Sequence, residues 1–174
     1  MLRRILIYGL AGGVIVPVLL IPTMFVDLPG LWSMAAGYLS MLVGLSAIFL
    51  AIKQQRDATQ GGVIRFLPAL GMGLAISVIA GIIYALAWEA YMASAHYDFG
   101  AVYARMMIAH AKAHGATGAA LAKAVAEAAD FQRQYANPLY RLSQTFIEIF
   151  PVGVLVSLIS AALLRNSRFL PARR

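Results

Sequence analysis

The chain has 174 residues, of which 61% are hydrophobic and 12% are charged, and its formal net charge is +7 at pH 7. An average soluble domain is about 45–50% apolar and about 25% charged, so this chain has too little charge to cover a water-exposed surface. It has no cysteine, which excludes disulfides, thiolate metal sites and iron–sulfur clusters. The basic residues flank apolar stretches and form no folded basic domain, so we expect no nucleic-acid partner.

Four apolar stretches are each long enough to cross a membrane, since a helix needs about 20 apolar residues to span the hydrocarbon core. They cover residues 5–26, 31–52, 67–91 and 139–164. The first is longer than the apolar region of a signal peptide, and no small-residue cleavage site follows it, so we expect a retained helix. The sequence therefore predicts an all-α integral membrane protein, a single membrane domain over residues 1–174 with a four-transmembrane-helix bundle.

Basic residues mark one side of this topology. They precede the first span, separate the second from the third, and follow the fourth: Arg3, Arg4, Lys53, Arg56, Arg65, Arg165, Arg168, Arg173 and Arg174. The turn between the first two spans carries Asp27 and no base. Because cytoplasmic loops carry an excess of Lys and Arg, the pattern predicts a multi-pass protein with both termini cytoplasmic, and with the 92–138 segment outside.

The segment between the third and fourth spans is too polar to cross a membrane. From Phe99 to His110, apolar residues recur at steps of three and four, which is typical of a helix with one apolar face. The stretch "HGATG" then interrupts the pattern, and Thr117 is the predicted cap of a second helix. We predict an extramembrane αα-hairpin over about 97–136, with its apolar face covered by the partner helix, the mouth of the bundle, the lipid surface or another protein.

Small residues recur at four-residue spacing in all four predicted spans. Lipid tails are as apolar as leucine, so membrane helices associate through close contact, which small residues allow. We therefore interpret six glycines as helix-packing positions: Gly9, Gly13, Gly44, Gly73, Gly81 and Gly153.

Glu148 is a carboxylate inside the apolar stretch "TFIEIFPVGVLV". It lies about 13 Å into the fourth predicted span, at a depth where an ionised group costs about 2.5–3.5 kcal/mol or more to insert. We expect Glu148 to face inward to a partner, with Glu89 and Arg141 close enough to complete a buried cluster. Two interpretations stay open: a site for a proton, cation or polar headgroup, or a polar lock that orients the third and fourth spans.

The predicted cytoplasmic loop "KQQRDATQGGVIRF" holds Arg56, Asp57, Gly61 and Gly62. No strand precedes it and no Gly-Lys-Ser/Thr follows, so it is not a phosphate-binding loop. It is either a turn or a docking point for a cytoplasmic partner or an anionic lipid headgroup. His110 and His114 have a metal-compatible spacing, but "HAKAH" lacks the glutamate of "HExxH" and a clear third ligand, so we predict no metal and no cofactor.

Four stretches taken together resemble one family: "YGLAGG", "GYLSMLVGLSAIFLAIKQQRD", "GGVIRF" and "NPLYRLSQTFIEIFPVGVLVSLISAALL". The family is the bacterial membrane proteins catalogued as the domain of unknown function 4199. The resemblance implies a four-span bacterial inner-membrane protein with a long segment before the last span, and it implies no activity. The positions that match its motifs are Arg56, Asp57, Gly61, Gly62, Asn137, Pro138, Glu148, Pro151 and Gly153.

The sequence contains no Ser-His-Asp order, no nucleophile elbow and no general acid/base pair with a nucleophile, so we predict that the protein is not an enzyme. We expect a non-enzymatic accessory or scaffold protein that contacts membrane lipids and joins a larger membrane complex or forms a homodimer. The alternative is a small transporter, channel or lipid-binding protein that uses Glu148, with Glu89 and Arg141, as its polar site.

Overall fold

The computed structural model describes residues 1–26, 30–58, 62–96 and 98–171. Within these ranges the chain is all-helical, without a strand. Its helices are α1 (Leu2–Thr23), α2 (Gly30–Ala58), α3 (Phe66–Ala95), α4 (Phe99–Ala113), α5 (Gly118–Tyr135) and α6 (Pro138–Arg165). The predictions that concern Asp27, Gly61, Arg173 and Arg174 fall outside the described residues.

Helices α1, α2, α3 and α6 are each long and apolar enough to cross a membrane, with a mean hydropathy between 2.0 and 2.3 in their most apolar windows. The prediction of an all-α chain with four candidate spans is thereby confirmed. These helices are compatible with a multi-pass membrane protein, because each can satisfy its own backbone hydrogen bonds in lipid.

The second span is longer than predicted, and this corrects the placement of two site residues. Arg56 and Asp57 belong to the last turns of α2, which ends at Ala58, and not to a loop. Within these last turns Lys53 Nζ donates to Asp57 Oδ2 at 2.6 Å, an i,i+4 ion pair of the kind that contributes a few tenths of a kcal/mol to a helix. Gly62 follows the helix with φ +85°, a backbone conformation that glycine adopts without a steric penalty.

The chain divides into two compact units. The membrane unit consists of Met1–Ala87 and Thr145–Arg174, and the hairpin unit consists of Trp88–Gln144. The membrane unit therefore holds α1, α2 and most of α3 and α6, whereas the hairpin unit holds α4 and α5 with the adjoining ends of α3 and α6. That residues 1–174 form one membrane domain stays a prediction.

Side chains from all four long helices form the core of the membrane unit. Val16, Ile48, Ile76 and Ile149 are each exposed by 1% or less. Among the buried serines of this unit, two donate a hydrogen bond across one turn of their own helix: Ser77 Oγ to Gly73 O at 2.9 Å, and Ser157 Oγ to Gly153 O at 2.7 Å. Their burial therefore leaves no hydroxyl donor unsatisfied.

The six glycines predicted to pack helices all lie against another helix of the membrane unit. A Cβ built on each would come within 3 Å of a neighbour: Gly9 2.7 Å from Ile79 Cγ2, Gly13 2.6 Å from Ile83 Cβ, Gly44 2.5 Å from Val16 Cγ2, Gly73 2.7 Å from Ser157 Oγ, Gly81 2.8 Å from Phe146 Cε2, and Gly153 2.6 Å from Ser77 Oγ. At these positions α3 approaches α1 and α6, and α2 approaches α1, more closely than any side chain would permit.

Gly73→Ala is expected to lower the free energy of unfolding by about 1–3 kcal/mol, because the new methyl group would overlap Ser157. Gly71 is the matched control on the same helix, since a Cβ built there meets nothing within 4 Å. Gly71→Ala should leave stability unchanged or raise it slightly. Thermal unfolding of both variants in one detergent measures the difference, and equal midpoints would contradict the close approach of α3 to α6.

Within the hairpin unit, α4 and α5 pack through aromatic rings. The ring centroids of Tyr103 and Phe131 lie 4.9 Å apart, and those of Phe99 and Tyr135 lie 5.2 Å apart. The apolar face of α4 therefore packs against α5, which is the first of the four alternatives considered for it. Thr117 is the N-cap residue of α5, but its side chain makes no capping hydrogen bond.

Candidate functional site

Glu148 lies near the middle of the candidate span Pro138–Leu164, and its side chain is exposed on the surface of the chain. The expectation that it faces inward is therefore wrong. The face that α6 buries runs along Thr145, Ile149, Gly153 and Ser157, at steps of four residues. Gly153 and Ser157 approach α3 so closely that this line has no room for a carboxylate.

Glu148 belongs to an exposed line that we call the α6 stripe: Glu148, Pro151, Leu155 and Leu158. Residues that follow each other at three and four positions lie on one side of a helix. The carboxylate of Glu148 makes no hydrogen bond or ion pair with any residue in the described parts of the chain. The stripe is therefore an apolar helix face with one carboxylate that no described residue pairs with.

Glu89 and Arg141, predicted to join Glu148, are paired with each other in the hairpin unit. Arg141 Nε donates to Glu89 Oε1 at 2.7 Å and Nη2 donates to Oε2 at 2.6 Å, which is a bidentate ion pair. Arg141 Nη1 also donates to the carbonyls of Tyr135 and Ala136, at 3.0 and 3.2 Å. These carbonyls lie at the C-terminus of α5, where backbone acceptors lack helical partners.

This geometry favours the polar-lock interpretation for Glu89 and Arg141. One guanidinium ties the end of α3, the end of α5 and the start of α6 together, and its two terminal nitrogens and Nε are all used. Trp88 Nε1 adds a hydrogen bond to Tyr135 Oη at 2.9 Å. Glu148 belongs to the other unit, so the structure joins two of the three predicted cluster residues.

Arg141→Gln is expected to destabilise the protein more than Glu89→Gln does. Both substitutions break the ion pair, but only the loss of Arg141 also leaves two α5 carbonyls without their donor, which adds about 1–2 kcal/mol. Thermal unfolding of the two single variants and the double variant measures the coupling between them. Equal losses for the two single variants would show that the carbonyl bonds contribute nothing.

Arg56 has a structural role that the sequence prediction missed. Its side chain is fully buried, with an exposed fraction of 0%. Its Nη1 donates to Phe169 O at 2.8 Å, its Nη2 donates to Leu170 O, and its Nε donates to Asp57 Oδ1 at 3.0 Å. The ring of Phe169 packs edge-on against Phe49, with centroids 6.4 Å apart. Arg56 thus holds the segment after α6 against the end of α2.

No residue-type pattern points to this contact, because the acceptors of Arg56 are mostly backbone carbonyls, which every residue has. The one available signal is the position of an arginine two residues before the end of an apolar helix. That signal is equally typical of an arginine that reaches the headgroup region.

A family model described as "Protein of unknown function (DUF4199)" matches residues 7–166. The matched range contains the whole of α2 to α6 and most of α1. No curated protein and no solved structure matches the chain.

Proposed function

The chain belongs to the family catalogued as the domain of unknown function 4199, and from that starting point we propose that it is a non-enzymatic accessory subunit that binds another membrane protein through the α6 stripe. One observation carries the proposal: Glu148 is exposed in the middle of a candidate span and has no partner in the described chain.

The cost of leaving Glu148 in lipid supports a bound partner. An ionised side chain at the bilayer centre costs about 2.5–3.5 kcal/mol on insertion scales, and more on an isolated helix. A second helix on the α6 stripe would remove the carboxylate from lipid and offer it a hydrogen-bond donor. The rest of the stripe is apolar and spaced at three and four residues, which is the spacing along which helices pack.

The charge of Glu148 favours a partner other than a second copy of this chain. The bases of the described membrane helices lie at the ends of those helices: Arg3, Arg4, Lys53, Arg56, Arg141 and Arg165. In a dimer of equally oriented copies that pack through the stripe, Glu148 would face the other Glu148, and two like charges disfavour ionisation of both. A helix with Lys, Arg or another donor at the depth of Glu148 complements the stripe better.

The alternative function, a small transporter, channel or lipid-binding protein, has less support. It needs Glu148, Glu89 and Arg141 to act as one polar site. Both oxygens of the Glu89 carboxylate already accept bonds from Arg141, and Glu148 lies on the surface of the chain.

We also propose that the protein lies in the bacterial inner membrane as a four-helix bundle. Both termini would be in the cytoplasm. Two contacts support this orientation. Arg4 donates to Gln55, and Arg56 donates to Leu170, so the start of α1, the end of α2 and the segment after α6 share one end of the membrane unit. This basic end is the one expected in the cytoplasm by the positive-inside rule.

A photo-crosslinking amino acid at Leu155 tests the proposal in the native membrane. Leu155 lies on the α6 stripe, and Ile82 of α3 is the matched control, since both are exposed apolar residues in candidate spans. We expect Leu155, and not Ile82, to give one discrete product with a second protein. Lipid adducts alone at both positions, or a product of two copies of this chain, would overturn the proposal.

A further inference from the structure

A groove of about 500 Å³ lies at the basic end of the membrane unit. Its lining residues are Phe66, Ala162, Arg165 and Asn166. Phe66 is the first residue of α3 and Arg165 is the last residue of α6, so the groove lies where two candidate spans end. In a bilayer, this is the depth at which hydrocarbon gives way to headgroups.

The polar side of the groove offers the hydrogen-bond donors of Arg165 and Asn166. The exposed guanidinium of Arg165 makes no hydrogen bond or ion pair with the residues that the structure describes. Asn166 Oδ1 accepts a bond from Arg168 N at 3.0 Å, so the donors that Asn166 can offer a ligand are those of its side-chain NH2 group. Among the residues that the structure describes, none of those lining the groove is acidic. A guanidinium beside an amide donor is suited to a phosphate group.

The apolar side of the groove points to a ligand with a hydrocarbon part. Phe66 and Ala162 form this wall, and the neighbouring Leu67 and Leu163 are exposed by 75% and 41%. A free phosphate ion would contact only the donors. A phospholipid would use both sides, with its phosphate at Arg165 and its acyl chain along the exposed apolar residues.

We propose that this groove binds one anionic phospholipid, with its phosphate held by Arg165 and Asn166 and the start of an acyl chain on Phe66 and Ala162. Basic pockets between helices at the cytoplasmic face are suited to anionic headgroups, and the basic end of the membrane unit provides the attraction. The groove shares no residue with the α6 stripe, so the inference does not depend on the proposed accessory function.

Native mass spectrometry of the delipidated, full-length protein tests the inference with phosphatidylglycerol and with phosphatidylcholine as probes. We expect one bound phosphatidylglycerol, weaker binding of phosphatidylcholine, and a loss of about fivefold in phosphatidylglycerol affinity for Arg165→Gln. Arg168→Gln is the matched control, because Arg168 is exposed at the same end and does not line the groove. It should keep the parental affinity, and equal losses for the two variants would overturn the inference.

A second pair of variants keeps the test valid if Arg165→Gln lowers stability. Ala162→Phe fills the groove without a change in charge, and Leu163→Phe adds the same ring at a position outside it. Only Ala162→Phe should reduce the bound lipid. If excess inorganic phosphate displaces phosphatidylglycerol completely, the site recognises free phosphate, and the inference of a lipid ligand is wrong.

Discussion

Glu148→Gln is expected to release the partner membrane protein while the isolated chain stays folded. The substitution keeps the shape of the side chain and removes the charge that the partner's donor would meet in lipid. Loss of one side of a desolvated charge pair costs about 2–5 kcal/mol, which is a loss of about 30-fold or more in affinity. Co-purification of the partner with tagged protein from the native membrane, in mild detergent, measures the effect.

Glu89→Gln is the matched control for this prediction, because it makes the same chemical change in another candidate span. Glu89 is bound by Arg141 within the chain, so its loss should lower the melting temperature and leave the partner bound. Glu148→Gln should leave the melting temperature unchanged and release the partner, since Glu148 has no partner among the described residues. A Glu148→Gln protein that keeps its partner but loses ion flux or ligand binding would instead favour the transporter alternative.

Arg56→Leu is expected to destabilise the membrane unit by about 3 kcal/mol or more. The substitution removes the donor for the carbonyls of Phe169 and Leu170 and one of the two cations that bind Asp57. Each hydrogen bond to a charged group contributes about 1.5–3 kcal/mol, and the part-buried carbonyls of Phe169 and Leu170 lose that contribution when Arg56 is absent. Thermal unfolding in detergent measures the loss.

Release of the segment after α6 gives a second measurement on the same variant. Trypsin should cut after Arg168 faster in Arg56→Leu than in the parent, because that segment no longer has its anchor. Lys53→Met is the matched control: Lys53 binds the same carboxylate, but its side chain is 29% exposed, so its loss should cost about 0.5 kcal/mol. Equal melting temperatures and equal cleavage rates in the two variants would show that Arg56 does not hold the segment.

The sequence identified the packing positions of the membrane unit because their signal is local. Gly73 and Ser77 lie four residues apart on α3, and Gly153 and Ser157 lie four residues apart on α6. The structure brings these two pairs together, with Ser77 Oγ 3.3 Å from Ser157 Oγ. A small residue permits close approach by any neighbouring helix. Its spacing along its own helix is therefore enough to predict a packing position, even when the partner helix is unknown.

Two other predictions failed where the answer depends on distant parts of the chain. Glu148 was expected to face inward because an ionised group is costly in lipid, but the side of α6 that faces the core is decided by where Gly153 meets α3. Arg56 was expected in a loop, whereas it lies in the last turns of α2 and donates to the carbonyls of Phe169 and Leu170, which are 113 and 114 residues further along the chain.

By itself, the sequence determined that the chain is all-helical, that it has four candidate spans, and which small residues allow helices to approach. These properties follow from hydropathy and spacing summed over neighbouring residues. Only the tertiary structure decided that Glu148 is exposed, that Glu89 pairs with Arg141, and that Arg56 holds the segment after α6. The direction of a side chain and the identity of its acceptor depend on which helices meet, and backbone carbonyls from distant residues have no signature in the sequence.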